Sequence, residues 1–433
     1  MSKGKVAIIS LGCDKNRVDT ENLLYLLNRG GYEFTDDMAD AEIILINTCA
    51  FIEAAAKESI DNVFGAAKLK ESGNLKKLVV TGCLPMRYKE QLAGLLPEVD
   101  CFVGINDYSK ICEIIENGEK LSLFGGDAAT EKRILSTPPH FAYLKIAEGC
   151  DNFCTYCTIP SIRGKYRSRD MDSLIREAKF LDDCGVSELI LVAQDVTKYG
   201  KDLYGDYKLT ELLRRLLDEC DFGKLRLLYC YPELVGDELI DMVASEPRIA
   251  SYLDVPLQHV SDAVLKRMGR RSDKAQIERL FGKLRDRNIA VRTTLIVGFP
   301  GETPEQFAEL TAFVKEYKPA HLGVFAYSKE EGTPAARLKE QVPKRVKLAR
   351  VNELGKLAEE QAQERNRALV GQTLDIIYEN IDYDRNLFVG RTEWDAPDID
   401  GSVYFGGDFV EVGNVYKVLI TAFDGYDLIG EKV

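Results

Sequence analysis

At 433 residues the chain is too long for one hydrophobic core, so two or three domains are expected. With 45% hydrophobic and 29% charged residues it has an ordinary globular composition, and a formal net charge of −13 argues against broad, nonspecific nucleic-acid affinity. No apolar stretch approaches membrane-spanning length, and Met1-Ser-Lys-Gly-Lys-Val leads straight into a strand pattern, so the eleven cysteines read as reduced, cytosolic and partly metal-binding.

The first segment, residues 1–135, alternates strand and helix patterns. Lys5-Val-Ala-Ile-Ile-Ser-Leu-Gly is a short apolar run ending at Gly12 and Cys13. An amphipathic stretch from Asp19 to Asn28 follows and stops at Gly30-Gly31. The runs from Glu42 to Thr48 and from Lys77 to Gly82 end at Cys49 and Cys83. Continuous apolar runs alternating with helices predict a parallel, doubly wound α/β sheet. In such sheets the carboxyl ends of the strands face one crevice, where ligands bind. Cys13, Cys49 and Cys83 share that address, so they can converge without any local motif. Three unrelated loop cysteines are the competing reading. Cys101 and Cys112 read as plain core or surface residues.

Ser136-Thr-Pro138-Pro139-His140 marks a linker. Residues 136–343 then restart the alternation, with strand-like runs beginning at Phe141, Glu188, Leu225, Tyr252, Val291 and His321. Thr303-Pro-Glu-Gln306 opens one intervening helix with an N-cap, a Pro at the first position and a capping-box Gln. Six βα units predict a partial (β/α)6 barrel, whose site belongs at the carboxyl ends of its strands. Just there lies Cys150-Asp-Asn-Phe-Cys154-Thr-Tyr-Cys157. Three cysteines in that spacing can turn toward one centre. A closed structural zinc site takes four protein ligands, and a full iron–sulfur cubane a thiolate on each iron. Three thiolates therefore leave one iron open to a small molecule. A zinc module, or three cysteines acting as small hydrophobes, are the weaker alternatives.

Residues 344–370 form a long polar helical pattern, basic at its start through Lys344, Arg345, Lys347 and Arg350. After Gly371 the period changes to two. Strand-like runs at 374–378, 387–391, 415–423 and 427–430, with an Asp424-Gly425 turn, predict a small OB-like β-barrel over residues 371–433. This module carries thirteen acids against four bases, nine of the chain's thirteen excess negative charges. A solvated acidic surface would explain it. A docking surface for a basic partner explains it more sharply.

The Cys150–Cys157 loop, with Tyr156 before the third cysteine, resembles the signature of the radical S-adenosylmethionine (SAM) enzymes. Together with the strand-end cysteines and a terminal module resembling TRAM, it makes the chain similar to the radical SAM methylthiotransferases. The likeness is carried by 11–21 (Leu-Gly-Cys-Asp-Lys-Asn-Arg-Val-Asp-Thr-Glu), Asn47-Thr-Cys49, Thr81-Gly-Cys83, Ile159-Pro-Ser-Ile-Arg-Gly164, Asp254-Val-Pro-Leu-Gln-His259 and Val297-Gly-Phe-Pro-Gly-Glu-Thr303. The resemblance implies two 4Fe-4S clusters, one on Cys150, Cys154 and Cys157 and a sulfur-carrying one on Cys13, Cys49 and Cys83. It also implies SAM, both as methyl donor and as source of a 5′-deoxyadenosyl radical, and an electron donor. Gln194, Asp195, Val297, Gly298 and Glu302 are the implied SAM-site residues, with His259 a candidate lining residue. Arg163, Arg167 and Arg169 stand between a role there and ordinary surface charge.

Asp14 and Lys15 after the first cysteine most resemble the branch that modifies the β-carbon of an aspartate in small-subunit ribosomal protein S-twelve, free or on the ribosome. Charge votes the same way. A terminal domain gripping tRNA should be basic, whereas a basic ribosomal protein suits an acidic one. No membrane contact and no strong direct nucleic-acid binding are expected. A tRNA adenosine methylthiotransferase and, from another class, a noncatalytic iron–sulfur scaffold remain the alternatives.

Overall fold

A computed structural model describes residues 3–118, 120–122 and 130–433. Met1-Ser2, at the head of the predicted first strand pattern, lies outside them. Strands β1 (Lys5–Ser10), β2 (Glu33–Phe34), β3 (Ile43–Thr48), β4 (Lys77–Gly82), β5 (Cys101–Val103) and β6 (Leu121–Ser122) form one parallel sheet, ordered β2-β1-β3-β4-β5-β6. Ile43 and Leu45 pack on one face with Leu23 and Leu27 of the helix Asp14–Arg29. Ile44 and Ile46 pack on the other with Ala56 and Val63 of the helix Glu53–Ala67. Burial on both faces is why these strands read as unbroken apolar runs. Chain progression reverses at β1, the place where such folds bind ligands.

The helix after β1 begins at Asp14, five residues before the amphipathic pattern. Its first turn, Asp14-Lys-Asn-Arg, has no apolar period because Lys15 and Asn16 are buried among polar partners rather than in a core.

Next comes β7 (Phe141–Lys145), followed by a two-residue antiparallel hairpin, β8 (Ala147–Glu148) with β9 (Arg167–Ser168), that brackets the cysteine loop. Strands β10 (Glu188–Val192), β11 (Lys224–Leu227), β12 (Ile249–Asp254), β13 (Ala290–Val297) and β14 (His321–Ala326) complete a parallel sheet ordered β14-β13-β12-β11-β10-β7. This is the predicted six-stranded, open barrel. β12 starts three residues early, where Ile249-Ala-Ser offers little strand signal. Outward residues such as Leu144, Leu189, Leu227 and Leu253 meet the surrounding helices. Inward residues Phe141, Tyr143, Ile190, Val192, Leu228, Ala250 and Tyr252 form a second core, which Val18 and Ala396 from the flanking domains join. An open barrel cannot cover its own interior, and its neighbours cover it.

The helix Lys344–Leu369 leads to β15 (Thr373–Asp382), β16 (Leu387–Arg391), β17 (Val403–Gly406), β18 (Val415–Asp424) and β19 (Asp427–Lys432), closed in the order β15-β16-β17-β19-β18. β17 escaped sequence reading: it is four residues long and flanked by Gly and Ser. Residues 392–402 of this module seat at the amino-terminal ends of the central strands. There Asp400 pairs with Arg292 at 2.7 Å and accepts from Tyr252 at 2.8 Å. Glu393 pairs with Lys224 at 2.7 Å, and Glu379 with His140 at 3.0 Å. His321 lies 3.4 Å from Asp395. Part of the acidic excess thus has an intramolecular partner, the basic rim of the barrel. Asp375, Asp384, Asp408, Glu411, Asp424 and Glu431 remain exposed. Among the described residues no helix is long and apolar enough to cross a membrane.

Candidate active site

The first group of cysteines is assembled by the sheet. Cys13 follows β1, Cys49 follows β3 and Cys83 follows β4, on three adjacent parallel strands. Asn16 ties the three ends together, its amide donating to the Leu11 carbonyl at 2.8 Å and the Thr48 carbonyl at 3.0 Å. Asn47 donates in turn to the Asn16 carbonyl at 2.8 Å and the Thr20 hydroxyl at 2.9 Å. Gly82 turns the chain into Cys83 at φ +89°, and a Cβ there would stand 2.3 Å from Asn47 Oδ1. Only glycine fits that approach. The Gly82 and Asn47 in the two motifs are therefore one steric requirement.

These thiols are neighbours. Burial pushes the Cys83 thiol up to about 11; Arg163 opposes the rise, and the charges of Cys13 and Cys49 add to it. Burial also raises Cys49, helped by Cys13.

The second group is held by a single loop. Cys150 N–H donates to the Gly164 carbonyl at 3.0 Å, and Cys157 N–H to the Cys154 carbonyl at 3.0 Å. Thr155 anchors the loop outward, donating through its amide to Met268 and its hydroxyl to Arg267, both at 2.8 Å. Burial pushes Cys150 up to about 11 and Cys157 up to about 12, each raised further by its companions in the loop. Tyr231 Oη stands 3.6 Å from Cys154 Sγ, beneath the Arg270 guanidinium, which lies 4.2 Å from its ring centre. All six cysteines are free thiols. Among the described residues no three His, Cys, Asp or Glu side chains close around one point as a single-ion site does.

Of the other expected residues, Gln194 and Asp195 lie beside this loop. Asp195 is fully buried and accepts from Asn152 of the loop at 3.0 Å and from the Thr197 hydroxyl. Gln194 donates to Glu148 at 3.3 Å, while its buried carbonyl oxygen has no partner among the described residues. That is a free acceptor at a strand end. Val297 ends β13 and Gly298 begins the turn after it. Glu302 closes this turn by accepting from the Gly298 and Phe299 amides and pairing with Arg350 at 2.9 Å, which commits its carboxylate within the protein. His259 lies buried 4.0 Å from Glu302, and burial holds it down to about 3, hence neutral.

The two groups meet across one buried polar junction. Tyr229, just beyond β11, donates to Asp14 at 3.2 Å, and the Lys15 ammonium sits 3.3 Å above its ring. Lys145, at the end of β7, pairs with Asp19 and, at 2.9 Å, with Glu148. Arg163 is 2% exposed and meets both carboxylates and Cys83. It is no surface charge. Arg169 reaches Glu177, while Arg167 is exposed. A cavity of about 760 Å³ runs from Cys13 and Asp14 past Tyr143 and Tyr229 to Pro397, Asp398 and Ile399. Lys145, Glu148, Tyr229 and Tyr231 were not singled out from sequence. Each is an ordinary strand-end residue until the domains are brought together.

Comparison with known proteins matches residues 5–104 to "Uncharacterized protein family UPF0004", 144–314 to the radical SAM superfamily and 370–433 to the TRAM domain. A protein of Trichlorobacter lovleyi named ribosomal protein uS12 methylthiotransferase RimO is 47% identical, covering 100% of this chain and 99% of its own length. Those of the same name from Lachnoclostridium phytofermentans and Geobacter sulfurreducens are 48% and 47% identical, with 98% and 100% of this chain and 99% of each relative covered. Among solved structures, the radical SAM methyltransferase TsrM of Kitasatospora setae, with cobalamin and a 4Fe-4S cluster bound, shares the fold at TM-score 0.54. Its identity is 16%, over 77% of each chain.

Proposed function

The chain belongs to the RimO family of radical SAM methylthiotransferases, and we propose that its target is ribosomal protein uS12. The product is an aspartate bearing a methylthio group on its β-carbon. Two 4Fe-4S clusters and SAM supply the chemistry when bound: reductive cleavage of SAM gives a radical that takes hydrogen from carbon, and the second cluster supplies the sulfur.

The residues present fit these groups. Cys150, Cys154 and Cys157 would hold the SAM-binding cluster, and Cys13, Cys49 and Cys83 the other. Each triplet is a set of neighbouring thiols at the mouth of a parallel sheet. Gln194 offers a buried oxygen unpaired among the described residues, the kind of acceptor a ligand's amine would satisfy. Asp195 holds the cysteine loop through Asn152, and Glu302 braces the Val297–Gly298 turn, which we assign to the same SAM site. Tyr156, Tyr231 and Arg270 cover the loop and limit water around a reactive radical.

The observation that carries the reading is the shared junction. A carbon activated on the barrel side and a sulfur held on the amino-terminal side can meet only if the two sites adjoin, as they do across the Arg163 network. The 760 Å³ cavity, which Cys13 lines and which reaches the terminal module, gives a substrate loop a path to the amino-terminal side of that junction. The exposed acids of that module are the surface we assign to the basic protein. We place the reaction in the cytoplasm, served by an external electron donor. The test compares uS12 mass with methylthio-adenosine in tRNA, with and without the active gene. Loss of the methylthio mass from uS12 alone supports the assignment, and loss from tRNA alone rejects it.

A further inference from the structure

We infer that Arg163 is a positioning residue for the Cys13–Cys49–Cys83 site, a hydrogen-bond donor borne by the barrel that raises the reduction potential of the centre held there. The inference rests on the reading that those three cysteines hold a cluster.

Arg163 Nη2 lies 3.8 Å from Cys83 Sγ, within hydrogen-bond reach of a sulfur acceptor. The same nitrogen donates to Asn16, the residue that ties the three strand ends, and to Asp19 at 3.2 Å. Nη1 takes both oxygens of Glu148 at 2.9 Å. Only a planar fork with several fixed donors satisfies so many acceptors at once, which an ammonium cannot do.

The charges around it are nearly closed. Lys145 and Arg163 face Asp19 and Glu148, two cations against two anions. The guanidinium is the member of that set placed against the sulfur. Hydrogen bonds and positive charge at cluster thiolates favour the more reduced state.

Its place in the chain matters as much. Arg163 ends the helix Ile159–Arg163, which follows Cys157 almost directly. The next residue, Gly164, accepts the Cys150 amide at 3.0 Å. Ile162 is buried in the amino-terminal domain's own core, and Thr158 donates to the Phe51 carbonyl at 2.9 Å. Consecutive residues therefore touch a ligand of each centre. Joining a carbon radical to a methylthiolate yields a closed-shell thioether and releases one electron, which a centre held by Cys13, Cys49 and Cys83 would be placed to accept. A cation at Cys83 stabilises that added charge.

The test uses the full chain with Cys150, Cys154 and Cys157 replaced by alanine, reconstituted anaerobically with iron and sulfide so that one centre remains. Its midpoint potential is read by EPR-monitored titration in the Arg163, R163K and R163Q forms. We expect R163Q to shift the midpoint to more negative potential and R163K to fall between the two. Because R163Q leaves buried carboxylates unbalanced, D19N/R163Q, which removes charge and counter-charge together, is measured against D19N. An R163Q or D19N/R163Q centre that holds its iron at an unchanged midpoint overturns the inference. A parent that takes up no iron overturns the underlying two-cluster reading, and the inference with it.

Discussion

Cys150, Cys154 and Cys157 come from one short loop, whereas Cys13, Cys49 and Cys83 are brought together by three strand ends spread over residues 13–83. The loop needs a hairpin beneath it and an anchor at Thr155, and its spacing alone brings the sulfurs together. The strand-end group needs the register of β1, β3 and β4, the amides of Asn16 and Asn47, and a glycine at 82. A local site fails when its own residues change. A site built by topology also fails when the sheet shifts beneath it, so the two should respond differently to the same kinds of perturbation.

The largest effect belongs to the loop. Replacing Cys150, Cys154 or Cys157 by alanine should reduce 5′-deoxyadenosine formation to background in the reconstituted, reduced protein. Turnover that survives in all three variants would remove the loop from radical generation. Next comes the junction. Asp19→Ala leaves two buried cations, Lys145 and Arg163, sharing Glu148 without their second carboxylate, and breaking such a buried network from one side typically costs about 3–5 kcal/mol. Chemical denaturation should show that loss, and a cost near zero would mean the network does not hold the domains.

Gly82→Ala sharpens the comparison. It forces a side chain onto Asn47 and into a left-handed backbone, at about 1–3 kcal/mol. Iron should fall at the strand-end site while deoxyadenosine formation persists; equal loss at both sites would deny their independence. The smallest effect is at the surface. Converting Asp384, Asp408, Glu411 and Asp424 to amides should weaken uS12 binding in a salt-dependent way, each by about 1 kcal/mol or less. Melting should stay unchanged, and unaltered affinity would take the exposed acids out of substrate docking.

How much the sequence reveals follows the same division. The loop cysteines, the open barrel of six strands and the terminal β-barrel are legible because spacing and period are local properties. Cys13, Cys49 and Cys83 become legible one step later, once strands are assigned and their ends compared. Arg163 is not legible in this way, because an arginine after a cysteine loop looks like surface charge until Asp19, Glu148 and Cys83 arrive from elsewhere. The acidic module shows the converse. Its charge is plain in the sequence, but that Glu379, Glu393, Asp395 and Asp400 face His140, Lys224, His321 and Arg292 depends on how two domains meet. Glu302 shows a subtler gap. A conspicuous turn residue marks the site's wall, while its carboxylate is occupied by its own backbone and Arg350.

The division of labour between the two triplets is tested most directly in one reaction vessel. Chains carrying Cys13→Ala, Cys49→Ala or Cys83→Ala, loaded with iron and sulfide and reduced, are given SAM and uS12. Deoxyadenosine and the mass of uS12 are then measured together. The account predicts that deoxyadenosine continues to form while uS12 keeps its unmodified mass. A folded variant that keeps its loop cluster but makes no deoxyadenosine, or one that still modifies uS12, would contradict it.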